Sequence, residues 1–191
     1  MKIGIIVDNP IRDLSGCVLL ASELLRNNND VFLIPMYFQG FDIPILDLDL
    51  VIVNYVRKNN HDLIKNFKKN GIHVFVLDTE GGVVSNDGAD SIANWPLQLM
   101  EDDKHLLIDG YFFWGELMAN SFIKSKCLSK DKIFVTGNPR FDICNSKFSN
   151  FFVKKDSYIL INTNFSSVNP KFTKNRKLEF QAFKTAGWND D

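Results

Sequence analysis

No glycine-rich phosphate loop follows the first apolar run of this 191-residue chain. Gly16 stands alone behind it and GxGxxG does not occur, which removes the dinucleotide fingerprint from consideration. Cysteine is scarce: Cys17, Cys127 and Cys144 are odd in number and far apart, with no CxxC and no Cys/His cluster. That argues against a disulfide framework or a zinc site and fits a reduced, cytoplasmic setting. Histidine is equally sparse, and His61, His73 and His105 are scattered, so no metal site is expected. An excess of one charge is missing too. Lys and Arg total 22 against 23 Asp and Glu, a net charge of −1. Nucleic acid favours a strongly basic face and is not an expected partner. Long apolar runs are also lacking. The run in Met1–Asp8 is only a few residues, whereas a signal peptide needs a longer core and a membrane-spanning helix about 20 apolar residues. Any membrane contact is therefore expected to be peripheral, at the inner face of the cytoplasmic membrane.

What is present is a globular balance, 45% hydrophobic and 24% charged. The apolar runs are short and rich in Val, Ile and Phe, as in strands buried on both faces. Ile3–Val7, Val31–Pro35, Leu50–Asn54, His73–Leu77, Gly110–Trp114 and Ile133–Thr136 read as strands. Leu14–Arg26, His61–Asn70, Ser91–Asp103 and Glu116–Lys126 read as helices, the third interrupted near Trp95-Pro96. Tyr37–Asp49 has no clear period and reads as a loop. Such alternation predicts an α/β fold, a parallel sheet with right-handed crossovers and helices on both faces.

Composition divides the chain. Residues 1–145 form the expected domain, and 146–156, polar and basic with Phe148, Phe151 and Phe152 interspersed, the expected linker. Residues 157–191 offer a strand at Tyr158–Asn162, a basic stretch at Lys171–Lys177 and a helical segment at Leu178–Thr185. A strand, a loop and one helix cannot bury a core of their own. They read as the opening βα unit of an incomplete second domain.

In open α/β sheets, ligands sit beyond the carboxyl ends of the strands, and three polar turns are placed there. In Asp8-Asn9-Pro10-Ile11-Arg12-Asp13, the Asp and Asn suit either a helix cap or a cleft. In Asp78-Thr79-Glu80-Gly81-Gly82, the glycines allow close backbone approach. Glu80 there could act as a general base on a sugar hydroxyl, or cap a helix or pair with an arginine. In Gly137-Asn138-Pro139-Arg140-Phe141-Asp142, Pro139 and Asp142 suit a helical first turn. Arg140 could grip a phosphate or carboxylate through two donors. Trp95, Tyr111, Phe112, Phe113 and Trp114 suit sugar stacking or core packing. The Lys65/Lys68/Lys69 face suits anionic lipid or plain solvation.

Three segments, Leu77-Asp78-Thr79-Glu80-Gly81-Gly82, Gly110-Tyr111-Phe112-Phe113-Trp114-Gly115 and Val135-Thr136-Gly137-Asn138-Pro139-Arg140-Phe141-Asp142, occur in this order. Together they resemble a family of bacterial surface carbohydrate biosynthesis proteins, which look like GT-B glycosyltransferases. The last segment is also similar to the turn closing the N-terminal domain of Kdo transferases and UDP-GlcNAc 2-epimerases. The resemblance spans residues 1 to about 165. It implies two Rossmann-like domains facing a cleft, the first holding a glycan or lipid-linked acceptor and the second a nucleotide sugar such as CMP-Kdo. No bound cofactor is implied. By resemblance Glu80 is the catalytic carboxylate, with Thr79, Gly81 and Gly82 in its loop. Gly137, Asn138 and Arg140 line the cleft, and Asp8, Asn9 and Arg12 its acceptor side.

A GT-B enzyme needs a second domain of around 150 residues, while only residues 157–191 follow the expected linker. The chain alone is therefore expected to lack transferase activity. A nucleotide-sugar epimerase or hydrolase of the same architecture is the enzymatic alternative. A single binding domain or an inactive paralogue is the non-enzymatic one.

Overall fold

The computed structural model describes residues 1–80, 88–145 and 147, with the side chains of 88–93 and 143 excepted. The chain divides into two units, Met1–Phe151 and Phe152–Asp191, and every described residue lies in the first. Gly81, Gly82 and the expected second domain at 157–191 lie outside the described residues, as does the expected linker apart from Lys147.

Among the described residues eleven helices and strands carry the fold. They are β1 (Lys2–Val7), α1 (Pro10–Arg26), β2 (Asp30–Pro35), α2 (Gln39–Leu46), β3 (Leu50–Val53), α3 (His61–Lys69), β4 (His73–Leu77), α4 (Gly88–Met100), β5 (Gly110–Phe113), α5 (Glu116–Lys124) and β6 (Ile133–Val135). The strands form one six-stranded sheet in the order β2-β1-β3-β4-β5-β6. Every pairing is parallel, with Ile5 opposite both Leu33 and Ile52, Val76 opposite Tyr111 and Phe112 opposite Phe134.

The side-chain alternation of the strands builds two apolar layers. On one face Ile3, Ile5, Val7 and Ile52 pack with Cys17 and Ala21 of α1. On the other, Ile6, Val51, Val53, Val74 and Val76 pack with Ile43, Ile64, Phe67, Leu99, Met118 and Phe122 from α2 through α5. The chain is thus an α/β protein with helices on both faces of a parallel sheet. Strand order reverses direction at β1, so the crevice between the carboxyl ends of β1 and β3 is the topological switch point.

Three expectations are corrected. The first helix begins at Pro10, not Leu14, because the Asn9 side chain caps the N–H groups of Ile11 and Arg12 at 3.0 and 3.2 Å. Tyr37–Asp49 is not a loop throughout. It contains a 3₁₀ turn at Met36–Phe38 and then α2, stopped by Asp47 in the left-handed region at φ 51°. The period of α2 is invisible because Ile43 is its only buried position, while Phe41, Pro44 and Ile45 are exposed. The helix expected to break at Trp95-Pro96 runs through it, with Pro96 buried inside the helix. The break comes later, at Asp102 and Asp103, both left-handed.

One close approach fixes the site's geometry. A Cβ on Gly16 would lie 2.5 Å from the Arg140 nitrogen and 2.7 Å from its Cα, so only glycine lets α1 abut the 3₁₀ turn at Pro139–Cys144. Gly137, at φ +80°, gives the left-handed step that brings this turn back from β6. Gly16→Ala is expected to destabilise the unit by about 1–3 kcal/mol through backbone overpacking. Urea denaturation should show a lower midpoint at an unchanged slope.

Candidate functional site

Asp78, the first residue beyond β4, is 2% exposed. Its Oδ1 accepts the Glu80 N–H at 2.8 Å and its Oδ2 accepts the Tyr111 hydroxyl at 2.8 Å. Its backbone carbonyl accepts Trp114 Nε1–H at 2.7 Å and Asn138 Nδ2–H at 3.4 Å. One residue therefore ties together the carboxyl ends of β4, β5 and β6. Burial pushes the Asp78 carboxyl above its ordinary 3.8, although the Glu80 N–H, the Tyr111 hydroxyl and the Arg57 charge oppose the shift. Burial, with the neighbouring carboxylate, likewise raises Tyr111 well above the ordinary phenol value.

A second buried carboxylate, Asp13, gathers the ends of β1 and β6. Arg12 grips it twice, Nε on Oδ1 at 2.8 Å and Nη2 on Oδ2 at 2.9 Å. The same Nη2 reaches Asp8 at 2.7 Å. The Asn9 N–H donates to Asp13 Oδ2 at 3.1 Å, and Arg140 Nη1 approaches Oδ1 at 3.5 Å. The hydrogen bond to Asp13 raises the Arg12 pKa further, against the opposing effect of burial. Arg140 is stacked as well as paired. Its guanidinium lies 4.6 Å from the Trp114 ring centre and 4.8 Å from that of Phe141, two rings set edge to face. Asn138 caps the turn by accepting the Arg140 N–H at 3.1 Å.

Between these clusters the turn after β3 presents Arg57. Asn60 pins that turn, its side chain accepting the Arg57 N–H at 2.8 Å and donating to the Tyr55 carbonyl at 2.8 Å. The Arg57 guanidinium lies over the Tyr55 ring at 4.8 Å, bonds Glu80 Oε2 at 2.6 Å and stands 4.0 Å from Asp78. Burial opposes its charge, but the Glu80 hydrogen bond and the two carboxylates outweigh that and raise its pKa. Thr79 donates its N–H to the Asn54 carbonyl at 3.1 Å. Its hydroxyl oxygen is buried without a partner among the described residues. Asp13, Thr79, Asn138 and Arg140 line a cavity of about 20 Å³ beneath this edge, enough for a single water.

The structure therefore brings most of the expected residues to one edge of the sheet. Glu80 is there in the paired state, held by an arginine. Asn9 and Asn138 are helix and turn caps, and Arg12 is a clamp on Asp8 and Asp13. Arg140 is 17% exposed at the side chain, packed between rings and against Asp13. Sequence reasoning missed Arg57 and Tyr55, which lie in a fourth polar turn, Asn54–Arg57, directly after a strand. It also passed over Asp13, although that residue closes the first turn singled out. Among the described residues no group of three or more His, Cys, Asp or Glu could hold a metal ion. None of the helices there is long and apolar enough to cross a membrane. Lys68 of the basic face is paired with Asp109 at 2.6 Å.

No family model and no curated protein matches the chain. Among solved structures it is similar to the UDP-GlcNAc 2-epimerase from Methanocaldococcus jannaschii, with 18% identity and a TM-score of 0.53 over 98% of this chain and 64% of that one. It is also similar to the S. aureus MnaA–UDP co-structure, with 14% identity and a TM-score of 0.50 over 76% of this chain and 47% of that one. The chain thus spans 64% of the first and 47% of the second. At these identities the likeness is one of fold, GT-B-like with Rossmann-like domains. No family model and no curated relative supports the Kdo-transferase-like resemblance.

Asp78 also sets a pH dependence. Its folded pKa is raised, so the folded state binds a proton more tightly than the unfolded one above the ordinary 3.8. The Asp78 contribution is thus greatest at low pH and is lost as pH rises from 3.8 through the folded value. Asp78→Asn can still accept from Glu80 and donate to Tyr111, and its stability relative to the parent should improve as pH climbs through that window. Asp78→Ala strands both partners and is expected to cost about 1–3 kcal/mol for each at low pH, the gap from the parent narrowing as pH rises through the same window. Urea melts of the three proteins at pH 4 and pH 7 check both statements.

Proposed function

We propose that this chain supplies one half of a two-domain enzyme acting on a nucleotide sugar, of the 2-epimerase kind in preference to a glycosyltransferase. The observation that carries the reading is the likeness to a UDP-GlcNAc 2-epimerase along 98% of the chain. The convergence of polar side chains from the turns after β1, β3, β4 and β6 beside the switch point supports it. Inverting a sugar carbon means removing its hydrogen and returning one to the opposite face, which calls for a positioned acid–base group. Glu80 suits that role: its side chain is 45% exposed at the carboxyl edge of the sheet, beyond β4. Asp13 and Asp78 are buried within hydrogen bonds, and Asp8 is tied to Arg12. They position the loops; Glu80 meets the sugar.

A glycosyltransferase would use the same half for its acceptor, and the two chemistries separate in heavy water. An epimerase turning over UDP-GlcNAc exchanges the C2 hydrogen for solvent deuterium. A transferase without acceptor leaves it in place, whether offered UDP-GlcNAc or CMP-Kdo. Proton NMR of the full gene product with each donor is expected to show deuterium entering at C2 of UDP-GlcNAc. Loss of the donor only when an acceptor is added would overturn the epimerase reading. Glu80→Gln should lower kcat by about 10²–10⁴-fold, without raising KM.

A further inference from the structure

Three arginines stand at the carboxyl edge of the sheet, and they differ in what occupies them. Arg12 is bonded to Asp8 and to both oxygens of Asp13. Arg140 has its guanidinium against two rings and Asp13. The Arg57 side chain is 42% exposed, against 37% for Arg12 and 17% for Arg140. A guanidinium has five N–H donors, and among the described residues the one hydrogen bond from that of Arg57 goes to Glu80.

The two partners are anchored independently of each other. Tyr55 lies under the guanidinium, Asp78 stands 4.0 Å away, and the Arg57 backbone is tied to Asn60. Glu80 is fixed through its own N–H, on Asp78. The Arg57–Glu80 bond can therefore open without dismantling either turn. Both side chains are nearly half exposed, so the pair contributes little to stability and its loss costs little. A phosphoryl group offers the same fork of oxygens as a carboxylate, with more charge.

We propose that Arg57 is the phosphoryl-binding cation of this site and that Glu80 occupies it in the empty state. The substrate's diphosphate displaces the Glu80 carboxylate from Arg57, which leaves that carboxylate free beside the sugar. This rests on the nucleotide-sugar reading above and adds an order of events to it: the base is released by the group that brings the substrate in. No bond is made or broken in the exchange; one anion replaces another on a fixed cation. The other carboxylates at this edge are poor candidates for displacement. Asp13 holds four donors and Asp78 is buried, whereas Glu80 gives up a single bond.

The test is titration calorimetry of the full chain with inorganic pyrophosphate, with UDP and with glucuronate. Glu80→Gln weakens the internal competitor and is expected to tighten pyrophosphate and UDP by about threefold or more, while Arg57→Gln weakens both by about tenfold. Arg57→Lys keeps the charge but loses the fork, and should fall between the parent and Arg57→Gln. The double variant should bind like Arg57→Gln, because without the cation Glu80 has nothing to block. Glucuronate, a carboxylate on a sugar, should not respond to either substitution. Thermal melts followed by circular dichroism confirm that each variant is folded.

If Glu80→Gln leaves pyrophosphate affinity unchanged or weakens it, the exchange is wrong. The same holds if neither anion binds even to that variant. Pyrophosphate following the expected pattern while UDP does not bind would uphold the exchange and sink the nucleotide-sugar reading. UDP binding that ignores both substitutions would do the reverse. Glucuronate responding in place of pyrophosphate would assign Arg57 to an acidic sugar and overturn the phosphoryl proposal.

Discussion

The burial of Asp78 is the constraint on which the site depends. A carboxylate with 2% exposure must have its oxygens satisfied, and it recruits Tyr111 from β5 and the Glu80 N–H from its own turn. The carbonyl of the same residue takes Trp114 and Asn138. Three loops with no sequence adjacency are thus referenced to one peptide unit. Arg57 comes no closer than 4.0 Å, so this is not a tight buried ion pair. The group meets its desolvation cost through hydrogen bonds and through a carboxyl that holds its proton to higher pH. Removing one partner of such a network strands the others, which is why its loss exceeds its contribution when intact.

The second buried carboxylate works differently. Asp13 has the bidentate arginine that Asp78 lacks, and its role is to draw the start of α1 toward the turn after β6. Gly16, one turn along α1, removes the side chain that would hold those segments apart. Electrostatic attraction and steric permission therefore act at neighbouring positions on the same helix. Arg140 is the beneficiary: it approaches Asp13 only because its backbone touches Gly16, and it is flattened between Trp114 and Phe141 as a result.

How much of this was legible depends on the range of the interaction. The six strands stand within a residue or two of where apolar runs placed them: β1, β3 and β5 are buried along most of their length, and even the half-exposed edge strands β2 and β6 are apolar runs. α2 was illegible, since a helix with one fully buried residue and an internal proline has no periodicity to read. In the site, the caps at Asn9 and Asn138 could be read from residue type and the next two or three positions. The pairing of Glu80 with an arginine was foreseeable, but not which one: Arg57 lies 23 residues away, and only the adjacency of β3 and β4 makes them neighbours. Asp78 and Tyr111, 33 residues apart, meet for the same reason. Such pairs follow from strand order, which a single sequence leaves open.

Charge count at the edge points to how a ligand must be met. Arg12, Arg57 and Arg140 face Asp8, Asp13, Asp78 and Glu80, so carboxylates outnumber guanidiniums by one. A diphosphate approaching this edge therefore finds no unpaired arginine, and its charge must be balanced by rearrangement or by other donors. The N-terminus of α1 opens at the same edge with a positive dipole, but the Asn9 side chain already covers two of its free N–H groups. Burial raises the Asp78 pKa above its ordinary 3.8, so this carboxyl takes up a proton more readily than a free aspartate as pH falls. On the exchange proposed above, the carboxylates stay in place until one of them gives way to a more highly charged guest. Under that proposal the acid–base group would be held back until the substrate is seated.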